Sequence, residues 1–262
     1  MAQVFANNVV ILTGASRGIG RQLALQLADQ GAVLALAARQ SEQLEGVAAE
    51  CRQRGANAIA IPTDVTDESQ VRALIEKTVA TYGRIDTLLN NAGMGFPKRF
   101  DEMPDLDALR QEMALNYFGL VHSVFYSLPH LKQSKGRIVG VSSFGSWVGL
   151  PGTIGYNSSK HAMRGFLNTL RAELIDTGVT VTVVFPGAIS TERLKETMGD
   201  NVNKVPTMTP ERCAQITIAA AAHRKRQVIM TPAGKILVFL NFLIPGLLDR
   251  QLSRMSDLYS QP

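Results

Sequence analysis

At 262 residues, with 45% hydrophobic and 19% charged residues, the chain suits one large packed domain and is the wrong composition for a disordered or collagenous protein. The formal charge of +5 comes from 27 scattered basic residues whose densest cluster, Arg224-Lys225-Arg226, reads as a solvated helix end; this argues against nucleic acid and for phosphate on a small cofactor or an anionic membrane surface. Two distant cysteines, Cys51 and Cys213, without CxxC or Cys/His spacing, indicate neither a metal site nor a disulfide framework and fit a reducing, cytoplasmic setting, as does the lack of a secretory pattern before VVILTG.

From residue 8 to residue 190, short apolar runs alternate with longer segments of helical period, which is the rhythm of βαβ units. The first strand, NVVILTG, runs into Thr13-Gly14-Ala15-Ser16-Arg17-Gly18-Ile19-Gly20 and then a helix over 19–30. Glycine is needed in such a loop because the chain must turn sharply and because a missing Cβ lets main-chain N–H groups approach a pyrophosphate at the positive end of the helix. The spacing is GxxxGxG rather than the common GxGxxG.

The second strand, AVLALAAR, ends at Arg39-Gln40, where an NAD-binding chain would carry a carboxylate for the ribose hydroxyls. No acid is present; Arg39 can hold a 2′-phosphate by charge-assisted hydrogen bonds and Arg17 can add a second cation, so the cofactor reads as NADP(H). A helix over 41–54, the strand AIAIPTD, a helix over 68–82 and the strand TLLNNAG follow. The segment 105–133 reads as one long helix that includes Asn116, a poor helix former, and the strand GRIVGVSS ends on Ser142-Ser143.

The helix over 157–177 opens with YNSSK, placing Tyr156 and Lys160 four residues apart and so on one helix face. A free phenol titrates near 10 and is a poor acid–base group at neutral pH; a lysine cation beside it stabilises the phenolate. The strand TVTVVFPG then leads into a loop and a helix over 191–225, with Thr209-Pro210-Glu211 as its start signal. The elements together give an α/β fold with a doubly wound parallel β-sheet, Rossmann-like, helices on both faces, in a single domain over 1–262. Residues 1–190 form the cofactor-binding and catalytic core, 191–235 a substrate loop and helix, and 236–262 an apolar C-terminal segment.

TGASRGIG at 13–20, Asp64-Val65, Asn90-Asn91-Ala92-Gly93, Asn116, Ser142-Ser143, YNSSK at 156–160 and Pro186-Gly187 followed by Thr191 resemble the short-chain dehydrogenase/reductase family in its TGxxxGxG form, over residues 8 to about 195. The resemblance implies that Tyr156 is the general acid in reduction and the base in oxidation, and that Lys160 tunes it and positions the cofactor ribose. It implies that Ser143 bonds the substrate oxygen, with Ser142 bonding locally, and that Asn116 breaks its helix and holds a water of a proton relay. Cofactor contacts would come from Gly14, Ser16, Arg17, Gly18, Ile19 and Gly20, from Arg39, and from Asp64 and Val65 at the adenine. Asn90, Asn91, Ala92 and Gly93 would flank the adenine ribose, and Pro186, Gly187, Ile189 and Thr191 the nicotinamide carboxamide.

Met94, Phe96, Phe144, Trp147, Val148 and Leu150 would make an apolar rim, which favours a small hydrophobic carbonyl or alcohol, lipid-like or steroid-like. A 3-oxoacyl-thioester reductase is the alternative within enzymes and a non-catalytic NADP(H)-binding module the alternative outside them. The run 236–248, ILVFLNFLIPGLL, is too short to span a bilayer; a lid or subunit interface ranks first and peripheral membrane contact second. By resemblance, the helices 105–133 and 157–177 would pair copies into a homodimer or homotetramer.

Overall fold

The structure, a computed structural model, describes residues 4–254. Seven strands build one sheet: β1 (Val9–Thr13), β2 (Val33–Ala38), β3 (Ala58–Pro62), β4 (Thr87–Asn90), β5 (Arg137–Val141), β6 (Thr180–Phe185) and β7 (Gln227–Ile229), in the order β3-β2-β1-β4-β5-β6-β7. Every pairing is parallel, with Thr13 in register with Ala37 on one side and with Asn90 on the other. The chain therefore reverses its direction of winding between β1 and β4, which opens a crevice at the carboxyl ends of these strands.

The apolar runs are continuous because both sheet faces are covered. Val10, Leu12, Leu34 and Leu36 pack on one face against Leu23 and Leu27 of α1 (Gly18–Ala28), Leu44 of α2 (Ser41–Gln53) and Ile218 of α8 (Pro210–Ala222). Ile11, Ala35, Leu88 and Ile138 turn to the other face, against Leu74 of α3 (Glu68–Tyr82), Val124 of α5 (Gly119–Ser134) and Leu167 of α6 (Ile154–Glu173).

Four features depart from the sequence expectation. The segment 105–133 is not one helix: α4 (Asp107–Met113) is followed by a π-helical turn over Ala114–Phe118 and only then by α5. The loop after residue 191 contains a helix, α7 (Glu192–Met198), before Thr209 caps α8 by accepting from the N–H of Arg212. β7 is a three-residue strand at the sheet edge, too short to stand out after Arg224-Lys225-Arg226. The described part of the apolar tail is two helices, α9 (Pro232–Leu243) and α10 (Pro245–Ser253), because Pro245 cannot continue the first and suits the first turn of the second; residues 255–262 of the expected 236–262 segment lie outside the described residues. No helix among the described residues is long and apolar enough to cross a membrane.

Candidate active site

The glycine loop joins β1 to α1 through Gly14 and Gly18, both with positive φ, at +67° and +55°. A methyl group on Gly14 would lie 2.8 Å from the Cα of Ala92, and one on Gly20 would collide with the carbonyl oxygen of Gly14, so these two positions exclude any side chain. Asn91 holds the turn shut: its Nδ2 donates to the carbonyls of Thr13 (3.2 Å) and Gly14 (3.0 Å). The Thr13 hydroxyl accepts from the N–H groups of Asn91 and Ala92. The Asn91 carboxamide, expected at the cofactor, thus braces the loop.

Residues around the crevice fit a dinucleotide. α1 begins without a side-chain cap and without an acid in its first turn, which leaves its amino-terminal N–H groups and positive dipole end for phosphate. Arg39 is exposed at the end of β2, and Arg17 lies half-exposed in the loop, 4.0 Å from Glu196. Asp64 has one carboxylate oxygen bonded to Thr66, Val65 is buried against Gly119, and the buried Asn90 keeps an Nδ2 without a partner among the described residues. Ser16 and Ile19 are half-buried within the loop. From the other side of the crevice, Thr191 caps α7 by accepting from Leu194 and its methyl lies 3.2 Å from where a Gly18 side chain would begin. Ile189 is buried, and Pro186, whose carbonyl accepts from Phe144, precedes Gly187.

Tyr156 and Lys160 lie on the inner face of α6. Lys160 is only 3% exposed; its Nζ donates to the carbonyl of Val141 at 3.0 Å and stands 5.7 Å from the centroid of the Tyr156 ring. Burial pushes its ammonium down to about 8. A methyl group on Gly93 would be 3.0 Å from Asn116 Oδ1 and 3.2 Å from Lys160 Nζ, so the end of β4, the π turn and α6 converge at one point. Asn116 accepts from the N–H of Met94 and donates to the Met94 carbonyl and to Ser159 Oγ, each at 2.8 Å. Ser159 in turn donates to the Tyr156 carbonyl. From within the π turn this asparagine satisfies another segment's backbone.

Of the two serines, Ser142 departs from its expected local bond. Ser143 makes the local bond, accepting from the N–H of Gly145 at 3.1 Å while keeping its own O–H to donate, whereas the buried Ser142 hydroxyl has no partner among the described residues. The cause is the turn over Phe144–Ser146, in which the Gly145 N–H points back at the Ser143 hydroxyl and the Ser146 N–H at its carbonyl.

The expected rim is also only partly a rim. Val148 is buried with Leu248 and Leu252 and so packs the domain, while Trp147, partly exposed, stacks its ring under the Arg164 guanidinium at 3.8 Å and edge-on to Phe185. Met94, Phe96, Phe144 and Leu150 stay partly exposed. Of these only Leu150 lines a cavity of about 510 Å³, together with Arg99, Phe100, Asp101, Ile154, Asn157 and His161. Its α6 residues lie about a third of a turn around the helix from Tyr156 and Lys160.

Three residues that the sequence did not single out shape the site. Gly95 leaves space for the Tyr156 ring, since a methyl there would be 3.1 Å from its Cδ2. Arg193 of α7 reaches across to the Gly95 carbonyl and over the Phe96 ring. Glu112 of α4 is fully buried, accepts from the N–H of Phe96 at 2.7 Å, and leaves Oε2 unpartnered against Gly155. Only Arg193 carried a signal, as a cation two positions past Thr191.

Comparison with known proteins agrees with this geometry. The family model described as short chain dehydrogenase matches residues 8–201. The chain is similar to 11-beta-hydroxysteroid dehydrogenase 1A of Arabidopsis thaliana, 33% identical over 265 residues, covering 94% of this chain and 76% of that protein. It is also similar to 11-beta-hydroxysteroid dehydrogenase of Pinus massoniana, 33% identical over 256 residues, covering 92% and 72%. Among solved structures, a short chain dehydrogenase/reductase from Burkholderia phymatum, in complex with NAD, superposes with a TM-score of 0.85 at 24% identity over 93% of this chain and 95% of that one, a likeness of fold. The glycine loop, the Tyr156–Lys160 face and the match over residues 8–201 make the chain a member of the short-chain dehydrogenase family, and so an oxidoreductase.

Proposed function

We propose that the protein is an NADPH-dependent oxidoreductase that interconverts a ketone or aldehyde and an alcohol on an apolar, steroid-like substrate. The observation that carries this reading is the buried Lys160 ammonium beside the half-buried Tyr156 ring, at the point where Asn116 also arrives. Nicotinamide, when bound, supplies the hydride for reduction and accepts it in oxidation.

The chain's own part is the proton. Tyr156 gives its phenolic proton to the carbonyl oxygen as negative charge grows there, and the Ser143 O–H donates a hydrogen bond to that same oxygen. Lys160 stabilises the phenolate left behind. In oxidation Tyr156 takes the proton of the alcohol instead. Asn116, bonded to Met94 and Ser159, keeps the loop after β4 in register with α6 while this happens. Ile189 and Thr191 would hold the carboxamide, and the bare amino-terminus of α1 the pyrophosphate.

NADP(H) over NAD(H) is supported by Arg39 and Arg17 at the crevice and by the lack of an acid at the end of β2. The substrate class is supported by the names of the plant relatives and by the partly exposed Met94, Phe96, Phe144 and Leu150. The test follows NADPH oxidation against steroid ketones, small apolar ketones and acyl thioesters. Turnover is expected on the steroid-like ketones, with Tyr156→Phe lowering it by about 10²–10⁴-fold. A phenylalanine variant that turns over like wild type overturns the assignment; turnover confined to thioesters moves it to 3-oxoacyl reduction; cofactor binding without any turnover leaves a binding module.

A further inference from the structure

We propose that the outward face of α9 and α10 seats the protein on an anionic lipid surface. An amphipathic helix on a folded domain ordinarily turns its apolar stripe to the core. α9 turns apolar side chains outward as well as inward. Ile236, Phe239, Phe242 and Leu243 are exposed, Phe242 by 84%, and Ile244 and Leu247 continue the patch into α10.

The orientation is fixed from the inner side. Leu237, Leu248 and Leu252 pack against Val148 and Trp147, and Asn241 Nδ2 donates to the Trp147 carbonyl at 3.1 Å. The outward face is therefore held out by the fold itself.

Two properties select lipid over a protein partner. Interfaces between separately folded partners are about as polar as the rest of a surface, homodimer interfaces are more apolar at about 65%, and both carry direct hydrogen bonds. From Pro232 to Ile244 the only polar side chains are Lys235 and Asn241, and Asn241 is already bonded inward, so the face has almost nothing to offer a protein's polar groups. Among the described residues from Pro232 to Arg254, the charges are Lys235, Arg250 and Arg254 against a single acid, Asp249. On α10, Arg250 and Arg254 fall on the side opposite Leu248 and Leu252, the same side as Leu247. Aromatic and aliphatic tips beside cations match acyl chains beneath phosphate headgroups, and a helix of twelve residues can only lie along such a surface.

The test sediments the full chain with vesicles of phosphatidylcholine alone and of phosphatidylcholine mixed with phosphatidylglycerol. Wild type is expected to pellet with the mixed vesicles, and Phe239→Ser/Phe242→Ser to remain in the supernatant. Replacing Lys235, Arg250 and Arg254 together by Gln should lower partition to the mixed vesicles by ~100-fold at low salt. Phe125→Ser, an equally exposed aromatic on α5, should pellet as wild type does. Wild type left in the supernatant with both vesicles, or the double serine variant pelleting like wild type, overturns the proposal. So does sedimentation velocity in which wild type is an oligomer that the double serine variant breaks, without vesicle binding. Tyr156→Phe should pellet unchanged, which separates this test from the catalytic one.

Discussion

Glu112, against Gly155, and Lys160, one turn after Tyr156, are buried titratable groups, and burial moves them in opposite senses. The Glu112 carboxyl is pushed up to about 7 by desolvation, against the pull of the Phe96 N–H, while the Lys160 ammonium is pushed down to about 8. For Glu112 the folded state holds its proton more tightly than the unfolded chain does. Its contribution to stability is complete below about 4.5 and is lost as pH rises through about 7. For Lys160 the unfolded chain binds the proton more tightly, so stability rises with pH between about 8 and 10.5. Glu112→Gln should therefore be more stable than wild type at pH 8, on the order of 1–3 kcal/mol by urea unfolding, and should match it near pH 4. A constant difference at both pH values would mean that titration of this carboxyl is not the cause. The sequence could give Tyr156 and Lys160 because their spacing alone puts them on one face. It could not give Glu112, whose burial depends on Gly155 arriving from another helix.

Between residues and the fold, the π turn over Ala114–Phe118 is the element on which the site depends most. The apolar period through 105–133 reads as one helix because the extra residue of a π turn shifts the register without removing hydrophobic positions. Asn116 was legible as an anomaly in that period, but its partners Met94 and Ser159 lie on separate segments that no local pattern connects. Asn116→Ala would leave the Met94 N–H and C=O without that partner. The expected loss is about 1–3 kcal/mol in urea unfolding, together with faster amide exchange at Met94. Unchanged exchange at Met94 would show the turn to be held by other contacts. α7 and β7 escaped the sequence reading for a plainer reason: seven and three residues carry too little periodicity to be told from loop.

Across the whole molecule, the parallel sheet was the most legible feature, since runs such as VVILT and VLALAA admit no solvent-facing side and demand helices on both faces. The winding reversal lies between β1 and β4, with Arg17 in the loop after β1 and Arg39 directly after the neighbouring β2. Ligand bound there stabilises the entire fold by mass action, by about 2.7 kcal/mol at a hundred times its dissociation constant. Thermal unfolding with saturating NADPH and with NADH should accordingly separate the two cofactors. Arg39→Ala is expected to shrink the NADPH-induced rise in Tm far more than the NADH-induced one, and equal shrinkage would remove the phosphate role from Arg39. The Asn91 brace has a kinetic consequence. Because its amide already fixes the carbonyls of Thr13 and Gly14, the loop loses its conformational freedom during folding rather than at the moment of encounter. If the Arg17 and Arg39 guanidiniums draw the phosphates in, NADPH association in stopped-flow is expected to slow as ionic strength rises, and a salt-independent rate would remove that role from them.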